Sequence, residues 1–62
     1  MRLLIREFRV KQGLSQIELA KKIGISNGYL SEIESYKKSP RVSTLEDIAK
    51  VLGVKVKDLM DE

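Results

Sequence analysis

Sixty-two residues with a net charge of +3 make one small domain, and a chain of this size buries only about 60% of the surface it exposes when unfolded. It has no cysteine, which excludes a disulfide or zinc-thiolate framework, and no histidine, which removes the commonest general base and a common metal ligand. Neither an enzyme nor a cofactor is expected.

Apolar runs extend over a few residues only, far short of a membrane span, and nothing reads as a secretory signal, so the expected compartment is the cytoplasm with no membrane partner. The charge is unevenly placed. Lys37, Lys38 and Arg41 follow one another with no acid between them, whereas Asp58, Asp61 and Glu62 gather at the C-terminus. One basic end and one acidic end is the distribution of an oriented nucleic-acid binder.

Val and Ile recur at helical spacings rather than in alternation, so the chain reads as all-α, with no strand signal. A first helix is expected over about Arg2 to Gln12, with Leu4, Ile5 and Phe8 inward, ending at Gly13. A second begins after Ser15, because Ser15-Gln-Ile-Glu18 is a capping box in which serine accepts from the Glu18 N–H and Glu18 reaches back. Leu19, Ala20 and Ile23 form its buried face, and Gly24 stops it by taking the left-handed conformation that glycine adopts without steric cost. Ser26 then caps a third helix, about Asn27 to Ser35, whose inward residues are Leu30 and Ile33. Tyr36 to Arg41 is a loop, with Pro40 excluding helix at the residue before it. A fourth helix starts between Arg41 and Thr44, with Ser43-Thr-Leu-Glu46 as a second capping box. It buries Leu45, Ile48, Ala49 and Leu52 and closes at Gly53. A short fifth helix, about Val56 to Met60, lays Leu59 over the core. Connections are short throughout, which suits a compact five-helix domain.

Residues 16–35 carry the functional signal. Two short helices joined at Gly24, with the small Ala20 where one must cross closely over the other, make a helix-turn-helix. That motif presents its second helix to the DNA major groove.

In the order and spacing of its motifs the chain resembles the lambda-repressor-like, or XRE, family of DNA-binding domains, the phage repressor and Cro type. The resemblance runs from about Ile5 to Leu59. It rests on Ile5-Arg-Glu-Phe8-Arg9, Gly13-Leu14-Ser15-Gln16, Leu19-Ala20, Gly24-Ile25-Ser26 and Leu30-Ser31-Glu32-Ile33-Glu34, then Pro40, Leu45-Glu-Asp-Ile48-Ala49, Leu52-Gly53-Val54 and Leu59. It implies a compact five-helix fold and sequence-specific binding of double-stranded DNA by a dimeric transcriptional regulator. Three positions depart from the family pattern. Ser35-Tyr36 stands where a glycine commonly ends the third helix, Gly28 brings no side chain to a position that often reads bases, and Lys55 replaces the usual Ser or Thr cap of the last helix.

The resemblance places Gln16 at a phosphate contact and Asn27 at a base-reading position. Chemistry agrees: a Gln16 amide can donate to a phosphate oxygen, and Asn27 can pair bidentately with adenine. Glu32 can accept from the cytosine N4 amine; otherwise it is a solvated helix charge. Ser26 and Gly28 flank Asn27, and Ser31 shares the exposed face. Tyr29 either reaches a phosphate or thymine methyl or packs over the junction of the two motif helices. Lys37, Lys38 and Arg41, with Ser39, read as backbone clamps. Arg9 and Glu34 match a family pair that forms a partly buried ion bridge between the first and third helices.

One recognition helix reads only a few base pairs, so specificity calls for a homodimer on a pseudo-palindromic operator. Val42, Val56 and Met60, apolar and outside the expected core, are the candidate dimer contacts. Leu3, Val10 and Ile17 are also unclaimed, but isolated apolar surface residues are ordinary. The leading function is a repressor acting by occupancy. The alternative, from another class, is a protein-interaction module such as the antitoxin of a toxin–antitoxin pair, with a toxin as partner.

Overall fold

Five short apolar faces share one small core. The computed structural model describes residues 2–61; of the acidic C-terminal group, Glu62 lies outside them. Four α-helices follow in order: α1 Ile5–Lys11, α2 Gln16–Ile23, α3 Asn27–Glu34 and α4 Val42–Leu52. A 3-10 turn, Val56–Leu59, completes the helical part. The core holds Ile5 of α1, Leu19 and Ala20 of α2, Leu30 and Ile33 of α3, Leu45, Ile48, Ala49 and Leu52 of α4, and Leu59 of the turn. α2 packs against both α3 and α4, so it is the element that joins the recognition-helix candidate α3 to the rest of the core.

Three expectations need correction. The ends of the chain are not helical. Arg2–Leu3 (β1) pairs antiparallel with Met60–Asp61 (β2), Leu3 opposite Met60 and Arg2 opposite Asp61, and the Leu4 N–H donates to the Leu59 carbonyl at 2.8 Å. Two residues per strand are too few to show alternation, and only the folded core brings such distant segments together. The first helix therefore begins at Ile5 rather than Arg2, and Leu4 and Phe8 are half-buried.

The second correction concerns the cap of α4, which begins at Val42 within the expected range. The Ser43–Glu46 capping box does not form; Arg41, in extended conformation, occupies the cap position and no side chain caps the helix. Burial of Thr44 and Leu45 keeps Ser43 inside the first turn, from where its hydroxyl cannot serve as the N-cap. The third is the fifth helix, which is a 3-10 turn of four residues. Lys55 has an ammonium and no acceptor, so only half a box closes there: the Lys55 backbone N–H donates to Asp58 Oδ2 at 3.0 Å.

Candidate nucleic-acid interface

The interface is built from α2 upward. Ser15 Oγ accepts from the Glu18 N–H at 3.1 Å, and Glu18 Oε1 accepts from the Ser15 N–H at 2.9 Å. That backbone hydrogen bond, helped by the serine hydroxyl, holds the Glu18 carboxyl below its ordinary pKa. α2 ends at Gly24, whose N–H donates to the Ala20 carbonyl at 2.8 Å and whose φ of 90° turns the Ile25 N–H back to the same carbonyl at 3.0 Å. Ala20 is 2% exposed, as a close crossing of α2 by α3 requires. Ser26 then spends its side-chain oxygen on the cap of α3, accepting from the Tyr29 N–H at 3.1 Å.

α3 buries Leu30 and Ile33 and turns Asn27, Gly28 and Ser31 to solvent, with Glu32 half-exposed beside them. Nothing lies within 4 Å of the position a Cβ on Gly28 would take, so the outer surface of the helix is open there. Tyr29 is half-buried against the core. It lines a groove with Ile25, Lys38, Ser39, Arg41 and Thr44, so packing and a place beside the basic loop are both realised.

The far end of α3 is held by a network. Arg9 Nε donates to Glu34 Oε2 at 2.8 Å, its Nη2 to Oε1 at 3.1 Å, and its Nη1 to the Leu14 carbonyl at 2.8 Å. The two side chains are 12% and 5% exposed. Gln16 joins them, its Nε2 donating to Glu34 Oε1 at 3.3 Å. Its amide is therefore oriented by α3 rather than free in solvent. α3 stops without glycine: Tyr36 takes φ 64°, the Lys37 N–H reaches back to the Glu32 carbonyl at 2.8 Å, and the Tyr36 hydroxyl donates to the Leu3 carbonyl at 3.0 Å.

Lys37, Lys38, Ser39 and Arg41 are all exposed in the loop after α3. Two contacts there escaped the sequence reading. Lys38 Nζ lies 3.6 Å from Glu32 Oε1, pairing a clamp residue with a base-reading candidate. Thr44 is 91% buried beneath the same loop. An i,i+6 pair across a helix end follows no regular spacing, so only the turn at Tyr36 could reveal it. The three dimer candidates differ. Val42 is 75% exposed and Met60 36%, whereas Val56 packs against the core and offers less surface than expected.

Among the described residues no cluster of His, Cys, Asp or Glu could hold a metal ion, and no helix is long and apolar enough to cross a membrane.

The helix-turn-helix family HTH_3 matches residues 5–59. The HTH-type transcriptional regulator SinR of Bacillus subtilis (strain 168) is 41% identical over 59 residues, which cover 94% of this chain and 53% of that protein. The immunity repressor protein of Bacillus phage phi105 is 38% identical over 58 residues, covering 94% of this chain and 40% of the repressor. The chain thus spans about half or less of these two relatives. Among solved structures, SinR in complex with DNA superimposes with a TM-score of 0.85 at 40% identity, covering 92% of each chain. The P22 c2 repressor in complex with a synthetic operator gives a TM-score of 0.87 at 28% identity, covering 98% of this chain and 97% of that one. A match over almost the entire length, on a fold whose α2 and α3 form the expected motif, makes this chain a member of the XRE, or lambda-repressor-like, family of helix-turn-helix DNA-binding domains.

Proposed function

We propose that this domain binds double-stranded DNA sequence-specifically, as a homodimer on a pseudo-palindromic operator, and represses transcription by occupancy. The observation that carries the reading is α3: an open, exposed strip of Asn27, Gly28, Ser31 and Glu32, capped at one end by Ser26 and clamped at the other through Arg9 and Glu34. The DNA complexes of SinR and the P22 c2 repressor support it, being the same fold on the same ligand class.

In this reading Asn27 pairs with adenine, and Gln16, oriented by Glu34, donates its second amide hydrogen to a phosphate. Lys37, Lys38 and Arg41 clamp the backbone, with Tyr29 lining the groove beside them. Glu32 accepts from cytosine N4 when Lys38 exchanges its carboxylate for a phosphate. Both ends of that exchange are exposed, so the bridge is weak and the exchange costs little.

For the dimer, Val42 and Met60 supply the exposed apolar surface. Leu3, paired with Met60, and Leu45, one turn along α4 from Val42, line a common hollow with Tyr36 and Pro40. Half-sites then lie roughly 34 Å, or 10 base pairs, apart or at a multiple of that.

A protein-partnered reading, of which an antitoxin is one form, has a single observation behind it: SinR is also known in complex with the SinI protein, at 41% identity and a TM-score of 0.87. Selection of sites from random duplex DNA, followed by sedimentation with the selected site, separates the two. The expected result is an enriched palindrome carrying two protomers. No enrichment above random sequence, or an affinity insensitive to salt, would overturn the DNA reading.

A further inference from the structure

The loop clamps lie on one flank of α3. The opposite flank has a groove of its own, lined by Arg6, Arg9, Gln16, Ser31, Glu34 and Ser35. Tyr29 and Glu34, which belong to the two grooves, stand five residues apart: the shorter arc of about 140° holds the buried Leu30 and Ile33, and the longer one, about 220°, holds the exposed strip.

The hydrogen-bonding inventory of this second groove is one-sided. Both oxygens of the Glu34 carboxylate are already occupied: Oε2 by Arg9 Nε, and Oε1 by Arg9 Nη2 and Gln16 Nε2. The Ser35 hydroxyl is committed as a donor to the Ser31 carbonyl at 2.8 Å. On the donor side, the second amide hydrogen of Gln16, the hydroxyl of Ser31, two N–H groups of Arg9 and the guanidinium of Arg6 stay uncommitted. Among the described residues Arg6 enters no ion pair, although it stands on exposed surface one turn of α1 before Arg9. With Arg9 and Glu34 neutralising each other, the groove carries one net positive charge and offers donors. A lining of this kind fits an oxyanion, and its position beside the exposed strip of α3 fits a phosphate of the duplex that α3 enters.

We propose that Arg6 is a second-flank backbone clamp, holding a DNA phosphate in this groove so that α3 is gripped from both sides. The inference rests on the DNA-binding reading above and adds to it a residue that the motif gives no reason to select. A helix held on one flank only can roll about its own axis in the major groove. Phosphates fixed on both flanks remove that freedom and set which face meets the bases.

The test is binding of wild type, R6A, R6K and R41A to a random-sequence duplex and to a selected site, across about 50 to 200 mM salt. Each phosphate contact contributes about 0.9 to the slope of log K against log salt. R6A should therefore flatten the slope by about one unit per bound protomer on both DNAs, with its disadvantage against wild type shrinking about threefold over that range. R6K, which keeps the charge, should retain most of the slope, and the melting temperature of R6A should equal that of wild type because Arg6 is exposed. A slope for R6A equal to wild type, while R41A is flattened, overturns the Arg6 clamp and leaves the DNA reading standing. A wild-type affinity that does not respond to salt overturns both.

Discussion

Asn27 stands exposed in the first turn of α3, and Ser26, not Asn27, supplies the cap oxygen. Its amide is therefore free for a base edge, and truncating it leaves the cap intact. Asn27→Ala should weaken binding to the preferred site by about 1–3 kcal/mol with little change on random duplex. Equal losses on both, measured by titration, would reassign the residue to the backbone. Glu34 is the opposite case, since both of its carboxylate oxygens are taken by Arg9 and Gln16 and its value lies in what it holds. Glu34→Ala would strand the Arg9 guanidinium with only the Leu14 carbonyl. Breaking a buried pair costs about 3–5 kcal/mol. The lower end applies here, about 3 kcal/mol, because Arg9 keeps 12% of its side-chain surface in contact with water. Chemical denaturation reads this directly, and an unchanged midpoint would mean that the network contributes nothing.

Among the elements, the ends of the motif helices show how local chemistry sets the geometry. In the capping box of α2, Glu18 titrates below its ordinary value because its charged form accepts from the Ser15 N–H. A carboxyl depressed in the folded state adds stability that is complete above its unfolded pKa, about 4.3. That stability is lost as pH falls through the lower, folded value. The difference in melting temperature between wild type and Glu18→Gln should accordingly be constant near neutrality and close as the pH drops below about 4. A difference independent of pH would show that the charge on Glu18 plays no part. At the other end of the motif, Tyr36 accepts a left-handed backbone that costs a non-glycine residue about 1–2 kcal/mol. The Lys37-to-Glu32 backbone bond and the Tyr36 hydroxyl on Leu3 offset it. Glycine would end α3 without strain but would leave the recognition helix untied from the N-terminal strand.

For the whole molecule, the question is how a domain of 62 residues attains specificity with one glycine on its reading face. In the proposed homodimer, doubling the number of recognition helices answers it. Val42 at 75% exposure is the most exposed of the large apolar residues described, and a valine in that position has no role in the core. Val42→Asp should leave the unfolding free energy within about 0.5 kcal/mol of wild type, as surface changes do. It should also abolish cooperative binding to a full site while a half-site is still bound. Gel-shift titration on half and full sites distinguishes this from a fold defect. Unaltered cooperativity would remove Val42 from the interface.

Much of the architecture was legible in the chain because it depends on near neighbours. The capping box at Ser15, the stop at Gly24, the cap at Ser26 and the periodicity of Leu45, Ile48, Ala49 and Leu52 each need only three or four residues of context. Side-chain periodicity and helix-end chemistry operate over that range. The pairing of Arg9 with Glu34, 25 residues apart, was open to expectation only through the family pattern, since nothing local links the two. The tertiary structure alone decided the rest. It closed β1 on β2 and buried Thr44, so that Arg41 and not Ser43 takes the N-cap of α4. It drew Val56 inward, joined Lys38 to Glu32, and gathered Arg6, Gln16 and Ser31 around one groove. Each of these joins segments whose separation along the chain carries no periodic signal, and only the packing of α1 and α2 on α4, and of α3 on α2, brings them together.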